Sequence, residues 1–417
     1  MSSLLPTPLA GTDLNSGYMP VRRVFYFAGQ PDVNRLQKSL AAALVQWPDF
    51  SSTIVIHNGI PSLDRNDTGV RITVEKYDAP LPAFGINFPL GLPATFCDEA
   101  IGQVANDGGP VFTVKLSLYN DDHWVLGVCN SHALCDGSGF WQFMQSWRDA
   151  FHGIALPVIQ NDFMRYRAQP CDKPVAVPSH MTIPPVSLFK QQIDNASVYR
   201  TQQLLLPQQK IEKLKSVINA ELSPNWVSSQ DVLMALVWKS LAAVSLKHCA
   251  DGEQDFPLAN VINIRSHLGL KNYTGNMAYS VSSHATLAHI AESSLAQLAY
   301  RLRQDIQQVS DENIHEHLHF MQVQLEAGRY NAGGYFTGFS SAIAEACVHG
   351  RGVMINNWSK FPAYAMDFSG TPLWFDLATV IPMHFVMTMP SQDGVVVRLF
   401  LPDSCLSEVV SLLREYV

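Results

Sequence analysis

The 417-residue chain is poor in charged residues, which narrows the classes of protein to which it can belong. Only 15% of its residues are charged, whereas 47% are hydrophobic, and this composition favours a compact globular protein over a disordered one. The formal net charge is −8, and the lysines and arginines form no cluster. Nucleic acid and anionic membranes are therefore not expected as partners. A small or neutral molecule is the expected partner.

Cysteines are also few and scattered. Seven are present, an odd number, and none form a Cys-x-x-Cys pair, which disfavours a disulfide framework or a zinc knuckle. No apolar run reaches the length of about 18 residues that a membrane-spanning helix needs. The amino-terminal segment lacks the charged start and long apolar core of a signal peptide. We therefore expect reduced thiols in a cytoplasmic protein that is not bound to a membrane.

Helical and strand patterns both occur in the first half of the chain. Over residues 31–48 the apolar side chains recur at helical spacing, with Asp32 as a cap and Pro48 as a stop. Residues 111–132 predict two strands joined at an Asn-Asp-Asp turn, and a helical pattern begins at Gly139.

The second half repeats this mixture. A helix is predicted over 228–246, capped at Ser228 or Ser229, and a long helical region over 288–327. Several strand-like segments follow, and a final helix is expected near Ser407. Both halves are therefore predicted to be α+β.

Prolines mark a boundary near the middle of the chain. Their density between Pro157 and Pro207 forbids long regular elements and favours an extended segment. We predict an N-terminal lobe of residues 1–185, which ends in this proline-rich crossover, and a C-terminal lobe of residues 186–417.

The segment "CNSHALCDGSGFWQFMQSW", which begins at Cys129, holds a candidate catalytic group. His132 lies where an apolar strand meets the next helix, four residues before Asp136. An imidazole held in one tautomer accepts a proton at neutral pH, so His132 is a candidate general base. Asp136 could orient the imidazole as a dyad, or it could turn away and brace the loop by pairing with an arginine. The spacing alone leaves both alternatives open.

This segment and four others, in order, resemble motifs of the BAHD acyltransferases of the chloramphenicol-acetyltransferase-like superfamily. The first resembles the family's His-x-x-x-Asp-Gly motif with its following aromatic helix. The others are "SSQDVLMALVWKSLA", "NVINIRSHLGLKNYTGNMAYSV", "INNWSKFPAYAMDFSGTPLW" and "MPSQDGVVVRLFLP". Together these segments extend over nearly the whole chain.

The resemblance implies a fold of two similar lobes of mixed sheet with flanking helices, and an active site in a tunnel between the lobes. It implies a monomeric enzyme that moves an acyl group, acetyl or larger, from CoA to a hydroxyl, or to an amine, of a small specialised metabolite. His132 would be the base, in a motif completed by Asp136 and Gly137. Acyl-CoA would be a co-substrate, with no metal and no permanently bound cofactor.

The resemblance also implies roles for residues outside this motif. Arg265 and Asp367 would support the fold, Arg265 by pairing with Asp136. Ser229 and Asn276 match positions whose hydroxyl and amide suit the pantetheine arm of CoA.

The acceptor pocket is expected to be largely hydrophobic, because aromatic residues are frequent in the corresponding segments. Its predicted lining includes Phe336, Trp358 and Trp374. The segment Asp367–Pro372, "DFSGTP", departs from the family's Asp-Phe-Gly-Trp-Gly block and lacks its tryptophan, for which Trp374 could substitute.

Two other interpretations stay open. His315, Glu316 and His319 form a His-Glu-x-x-His sequence, which on a helix can bind zinc in a metallopeptidase. The extended form of that motif would need glycine at position 322 and histidine at position 325, where this chain has Gln322 and Leu325. The surrounding helix is also polar. The second alternative is a family relative without acyl transfer that binds a ligand or guides a cyclisation, an interpretation motivated by the altered "DFSGTP" segment.

Overall fold

The computed structural model describes residues 5–14, 20–65, 69–88, 93–98, 100, 109–156, 177–178, 181–182, 195–248, 251–270, 273–328, 339–346, 350–378 and 381–416. The helices are α1 (Val33–Gln46), α2 (Gly137–His152), α3 (Gln208–Leu222), α4 (Ser229–His248), α5 (Leu287–Glu292), α6 (Leu295–Gln307), α7 (Asp311–Glu326), α8 (Ser341–Ala344) and α9 (Asp403–Glu415). The strands of the first half are β1 (Thr7–Pro8), β2 (Pro20–Ala28), β3 (Ser52–His57), β4 (Ile60–Arg65), β5 (Ile72–Tyr77), β6 (Phe112–Tyr119), β7 (His123–Ser131) and β8 (Met181–Thr182). Those of the second half are β9 (Tyr199–Pro207), β10 (Leu258–Asn263), β11 (Ala278–Ser283), β12 (Phe339–Ser340), β13 (Val353–Asn357), β14 (Trp374–Leu377), β15 (Phe385–Pro390) and β16 (Gly394–Pro402).

The N-terminal lobe contains a five-stranded mixed sheet in the order β14-β2-β7-β6-β5. β7 is the central strand and is buried from Trp124 to Ser131, so it reads as one continuous apolar run. Helices α1 and α2 pack their apolar faces against one side of the sheet. On the other side, a Cβ added at Gly127 would lie 1.7 Å from the carbonyl oxygen of Phe96, so glycine is required there.

The C-terminal lobe contains a six-stranded mixed sheet in the order β11-β10-β13-β15-β16-β9. Helix α4 is buried on several sides and shares a hydrophobic core with α6, α9 and this sheet. Ser228 and Asp231 form reciprocal hydrogen bonds at the start of α4, which confirms the predicted cap. None of the helices in the described part of the chain has the length and hydropathy needed to cross a bilayer.

The predicted long helix over 288–327 is divided into α5, α6 and α7. Ser294 and Ser310 adopt extended backbone angles and cap α6 and α7 through capping boxes with Gln297 and Asn313. Serine competes for backbone hydrogen bonds and so interrupts a helix that apolar periodicity alone would continue. The helix predicted from Gly139 begins two residues earlier, because Asp136 caps it.

The predicted lobe boundary at residue 185 lies outside the described residues. Strand β14, which is late in the chain, nevertheless belongs to the N-terminal sheet, where Trp374 pairs with Tyr26. The C-terminal half of the sequence therefore completes the N-terminal sheet.

A buried ion pair joins the two sheets. Asp376 on β14 pairs with Arg398 on β16, and the Arg398 Nη1 donates to the carbonyl oxygen of Leu377 at 2.6 Å. Arg398 is 0% exposed, so its charge depends on this carboxylate. A buried cation without such a partner is strongly destabilising.

Replacing Arg398 with methionine should leave the Asp376 carboxylate buried and unpaired, and should lower the free energy of unfolding by about 3–5 kcal/mol. The double variant Asp376→Leu/Arg398→Met should lose less than the sum of the single variants, because both remove the same interaction. Denaturant unfolding measures these values, with the exposed Arg414→Met as a control. Strictly additive losses would contradict this account.

Candidate active site

His132 lies in the short turn between Ser131, the end of β7, and Gly137, the start of α2. The residue is half-buried, but its Nδ1 is fully buried and makes no hydrogen bond to any described residue. Nε2 is therefore the ring nitrogen that a reactant could reach. Burial lowers the pKa of His132 below its ordinary value of 6.5, although the nearby Asp136 carboxylate acts in the opposite direction. The imidazole is therefore neutral at pH 7, as a base must be.

The turn is held by the start of α2. The Asp136 Oδ1 accepts a hydrogen bond from the Gly139 amide at 2.9 Å, which caps the helix. A Cβ added at Gly137 would lie 2.8 Å from the Phe361 ring, and one at Gly139 would lie 2.1 Å from the carbonyl oxygen of Thr274. Both glycines therefore permit close packing of the second half of the chain against this turn.

The ion pair between Asp136 and Arg265 is present. Arg265 donates from Nη1 to Oδ2 at 2.7 Å and from Nη2 to Oδ1 at 2.9 Å, and the Met277 amide donates to Oδ2 at 2.9 Å. With the Gly139 amide, these contacts give each carboxylate oxygen two donors. None of the four comes from His132, so the geometry favours the bracing alternative over the dyad.

Arg265 is itself held in place. Its Nε donates to the carbonyl oxygen of Tyr273 at 2.9 Å, and its backbone amide donates to the Asn263 Oδ1 at 3.0 Å. A further Nη2 hydrogen bond reaches the carbonyl oxygen of Gly275 at 2.5 Å. The guanidinium thus fixes the segment after β10 to the turn that carries the histidine.

Asn276 contacts the histidine backbone. Its Nδ2 donates to the carbonyl oxygen of His132 at 2.8 Å, and its backbone amide donates to the Asp13 Oδ1 at 2.9 Å. Sequence reasoning missed Asp13, which is fully buried in the 3-10 turn Gly11–Leu14 and also accepts from the Ala10 amide. No local pattern could have indicated it, because its role depends on contacts with residues far along the chain.

Arg23 on β2 was also missed. Its Nη1 donates to the Asn130 Oδ1 at 2.6 Å, and its guanidinium carbon lies 3.7 Å from the Phe140 ring centroid and 4.9 Å from that of Trp358. The sequence did contain a signal for a buried arginine here. Side chains alternate between the two faces of a strand, so one of the adjacent Arg22 and Arg23 must face the core. Trp358, predicted as an acceptor residue, thus lies beside the first turn of α2.

Trp374 is not brought to the histidine. It is paired with Tyr26, which is paired with Val125 on β7. Val125 precedes Ser131 by six residues, a distance of about 20 Å along the strand. Trp374 therefore does not replace the missing family tryptophan beside His132.

Asp367 has a supporting environment. It lies 3.3 Å from the His152 Nε2 and 3.9 Å from the Arg148 Nη1, both near the end of α2. The next residue, Phe368, is fully buried, with its ring centroid 4.8 Å from that of Trp147. The altered "DFSGTP" segment is therefore anchored to α2.

The remaining predicted site residues are Ser229 and Phe336. Ser229, at the start of α4, donates to the Glu212 Oε1 at 3.3 Å, while Ser228 caps the helix. Phe336 lies outside the described residues.

The His-Glu-x-x-His sequence lies on α7. His315 and Glu316 are exposed, and the His315 Nδ1 lies 2.6 Å from the carbonyl oxygen of Asp311. No group of three or more histidine, cysteine or acidic side chains in the described part of the chain could hold a metal ion. The metallopeptidase interpretation therefore lacks a third ligand among these residues.

A family model described as the Transferase family matches residues 25–413. Anthranilate N-benzoyltransferase protein 1 of Dianthus caryophyllus is 22% identical over 375 residues, covering 87% of this chain and 80% of that protein. The structure of F. sporotrichioides TRI101 complexed with coenzyme A and T-2 matches with a TM-score of 0.78 at 16% identity, covering 98% of this chain and 97% of that chain. Vinorine synthase matches with a TM-score of 0.71 at 18% identity, covering 99% of this chain and 94% of that chain.

The two mixed sheets of this chain form the fold that these structures share, which is the chloramphenicol-acetyltransferase-like fold expected from the motifs. The chain belongs to the Transferase family, whose members are the BAHD acyltransferases, and it is an acyltransferase. The resemblance seen in the motifs is thereby confirmed.

Replacing Asp136 with asparagine should destabilise the protein by about 3–5 kcal/mol, because it leaves the buried Arg265 without its anionic partner. Arg265→Ala should have a similar effect, and the double variant should show a coupling energy of about 0.5–3 kcal/mol in denaturant unfolding. The exposed Asp393→Asn serves as a matched control. If Asp136→Asn is instead stable and inactive, with no coupling to Arg265, the aspartate belongs to the chemistry.

Proposed function

We propose that the protein transfers an acyl group from acyl-CoA to a hydroxyl group of a small specialised metabolite, with His132 as the general base. The observation that carries this proposal is the environment of His132, which is neutral, held by its backbone and buried at Nδ1. Such a base activates a nucleophile without being consumed. The family relationship supports the reaction class.

The proposed reaction is a direct transfer of the acyl group. His132 Nε2 removes the proton of the acceptor hydroxyl as its oxygen attacks the thioester carbonyl carbon of acyl-CoA. The tetrahedral intermediate collapses, the carbon–sulfur bond breaks, and the imidazolium returns the proton to the CoA thiolate. No acyl-enzyme is required. General-base catalysis of this kind contributes about 10²- to 10⁴-fold in rate.

The supporting residues have separate roles in this proposal. Asp136 and Arg265 hold the turn, with Gly137 permitting its close packing. Asn276 positions His132 through the backbone carbonyl, which differs from the direct contact with CoA expected from the motif.

The two substrates are expected to meet at the turn that carries His132. Ser229, in the C-terminal lobe, is proposed to contact the pantetheine arm of CoA. Trp358 is proposed to border the acceptor. Coenzyme A in the matched TRI101 structure supports acyl-CoA as the donor.

The nucleophile of the acceptor can be a hydroxyl or an amine in this mechanism. The Dianthus relative is named as an N-acyltransferase, so an amine is the second candidate. We favour a hydroxyl because it depends on a base, whereas a neutral amine is already nucleophilic. We also propose a monomeric, cytoplasmic protein. The thiols of Cys97 and Cys405, which form no disulfide, are consistent with a reducing compartment.

Replacing His132 with alanine or glutamine should reduce acyl transfer by about 10²-fold or more, because the base is lost while little packing is removed. Release of CoA from a panel of acyl-CoAs and alcohols measures the rate, and thermal unfolding should show little change. The exposed His315→Ala should retain full activity. A His132 variant with most of its turnover would remove the residue from the mechanism.

The pH profile tests the lowered pKa. Because only neutral His132 accepts a proton, kcat/KM should fall in acidic solution, where the imidazole becomes protonated, with a midpoint below pH 6.5. Initial rates of CoA release between about pH 5 and pH 8 measure this. A midpoint above 6.5 would show that burial does not dominate the pKa.

A further inference from the structure

Arg23 is a buried cation with an unusual set of contacts. It is 1% exposed, and its guanidinium stacks over Phe140 on one side and lies near the ring of Trp358. The aromatic rings offer an electrostatic contact to a cation, but they accept no conventional hydrogen bonds. Polar partners for this guanidinium must therefore approach in its plane.

One polar partner is present in that plane. Nη1 donates to the Asn130 Oδ1 at 2.6 Å, whereas Nε is buried without a hydrogen bond. No carboxylate of the described residues forms an ion pair with Arg23. Nε–H and Nη2–H point in the same direction and form the fork to which a carboxylate binds through both oxygens.

The other two buried arginines of the described chain each form an ion pair with a carboxylate. Arg265 pairs with Asp136, and Arg398 pairs with Asp376. Burial lowers the pKa of Arg23 to about 10, so it still carries its charge at neutral pH. A charged group that is desolvated without an anion costs stability, and such costs are typical of functional sites. Arg23 is therefore a buried cation that no ion pair among the described residues holds.

The position of Arg23 connects it to the reacting groups. Its partner Asn130 also donates to the carbonyl oxygen of Ser131, the residue before His132. Its charge is close enough to His132 to contribute to lowering the pKa of that histidine. The guanidinium is thus next to the turn at which the acyl group is transferred.

We propose that Arg23 binds a carboxylate of the substrate, carried either by the acceptor or by the acyl group. This proposal rests on the function proposed above and specifies its substrate class as an organic acid. A planar carboxylate fits the fork of Nε and Nη2, and the adjacent Trp358 would pack against the flat apolar body of such an acid.

The first test is direct binding, which does not require catalysis. Cinnamate and its neutral isostere cinnamamide are titrated into the full-length protein in a calorimeter. The wild-type protein should bind cinnamate at least about tenfold more tightly than cinnamamide, because a paired ionic hydrogen bond replaces a neutral one. Equal affinities for the two probes would overturn the proposal without any variant.

The variant Arg23→Met removes the charge and preserves much of the volume. The preference for cinnamate over cinnamamide should fall to about onefold, while thermal stability is maintained or increased, since a buried unpaired cation has been removed. Arg22→Met, on the opposite face of the same strand, is the matched control and should retain the preference. Lost stability with an unchanged preference would show that Arg23 only supports the fold. If Arg23→Met does not fold, Arg23→Lys keeps a charge without the fork and should show a reduced preference.

Turnover then identifies the source of the carboxylate. With wild type, malonyl-CoA is compared with acetyl-CoA, and 4-(hydroxymethyl)benzoate with benzyl alcohol, by release of CoA. A preference for the acid in one comparison assigns the carboxylate to the acyl group or to the acceptor, and Arg23→Met should reduce that preference. Transfer without preference for either acid would refute the carboxylate site and leave the proposed function intact. Arg23-dependent binding of cinnamate without transfer to any tested acceptor would support the carboxylate site and count against the proposed reaction.

Discussion

The ion pair between Asp136 and Arg265 is the interaction on which the candidate active site depends. It joins the start of α2, in the N-terminal lobe, to the segment after β10, in the C-terminal lobe. Each carboxylate oxygen accepts two hydrogen bonds, so the aspartate has no remaining capacity to orient the imidazole. A buried pair is favourable only when its geometry is this complete. The position of His132 is consequently a property of both lobes.

Buried arginines carry much of the organisation of this low-charge chain. Arg265 fixes the histidine turn, and Arg398 fixes the late strand β14 to the C-terminal sheet. Arg23 has the same degree of burial but contacts an amide and two aromatic rings in place of a carboxylate. The contrast distinguishes two arginines that hold the fold together through ion pairs from the one that we propose pairs with a substrate carboxylate.

The chemistry of the site is governed by desolvation. Burial favours the neutral form of His132, and the neighbouring Arg23 acts in the same direction, whereas the Asp136 carboxylate acts against them. Its backbone is held by Asn276, which in turn is held by Asp13. The altered "DFSGTP" segment does not disturb this arrangement, because Asp367 and Phe368 anchor it at the far end of α2.

Local sequence alone determined the elements whose causes are local. The Asp32 cap, the hairpin of β6 and β7, and the α4 cap follow from patterns within a few residues, and the motif containing His132 indicated the family. Only the tertiary structure decided between the two roles of Asp136, placed Arg23 beside the turn and removed Trp374 from it. The bond between Asn276 and Asp13 spans 263 residues of chain. Contacts of that separation depend on how sheets and helices pack, which periodicity and capping do not encode.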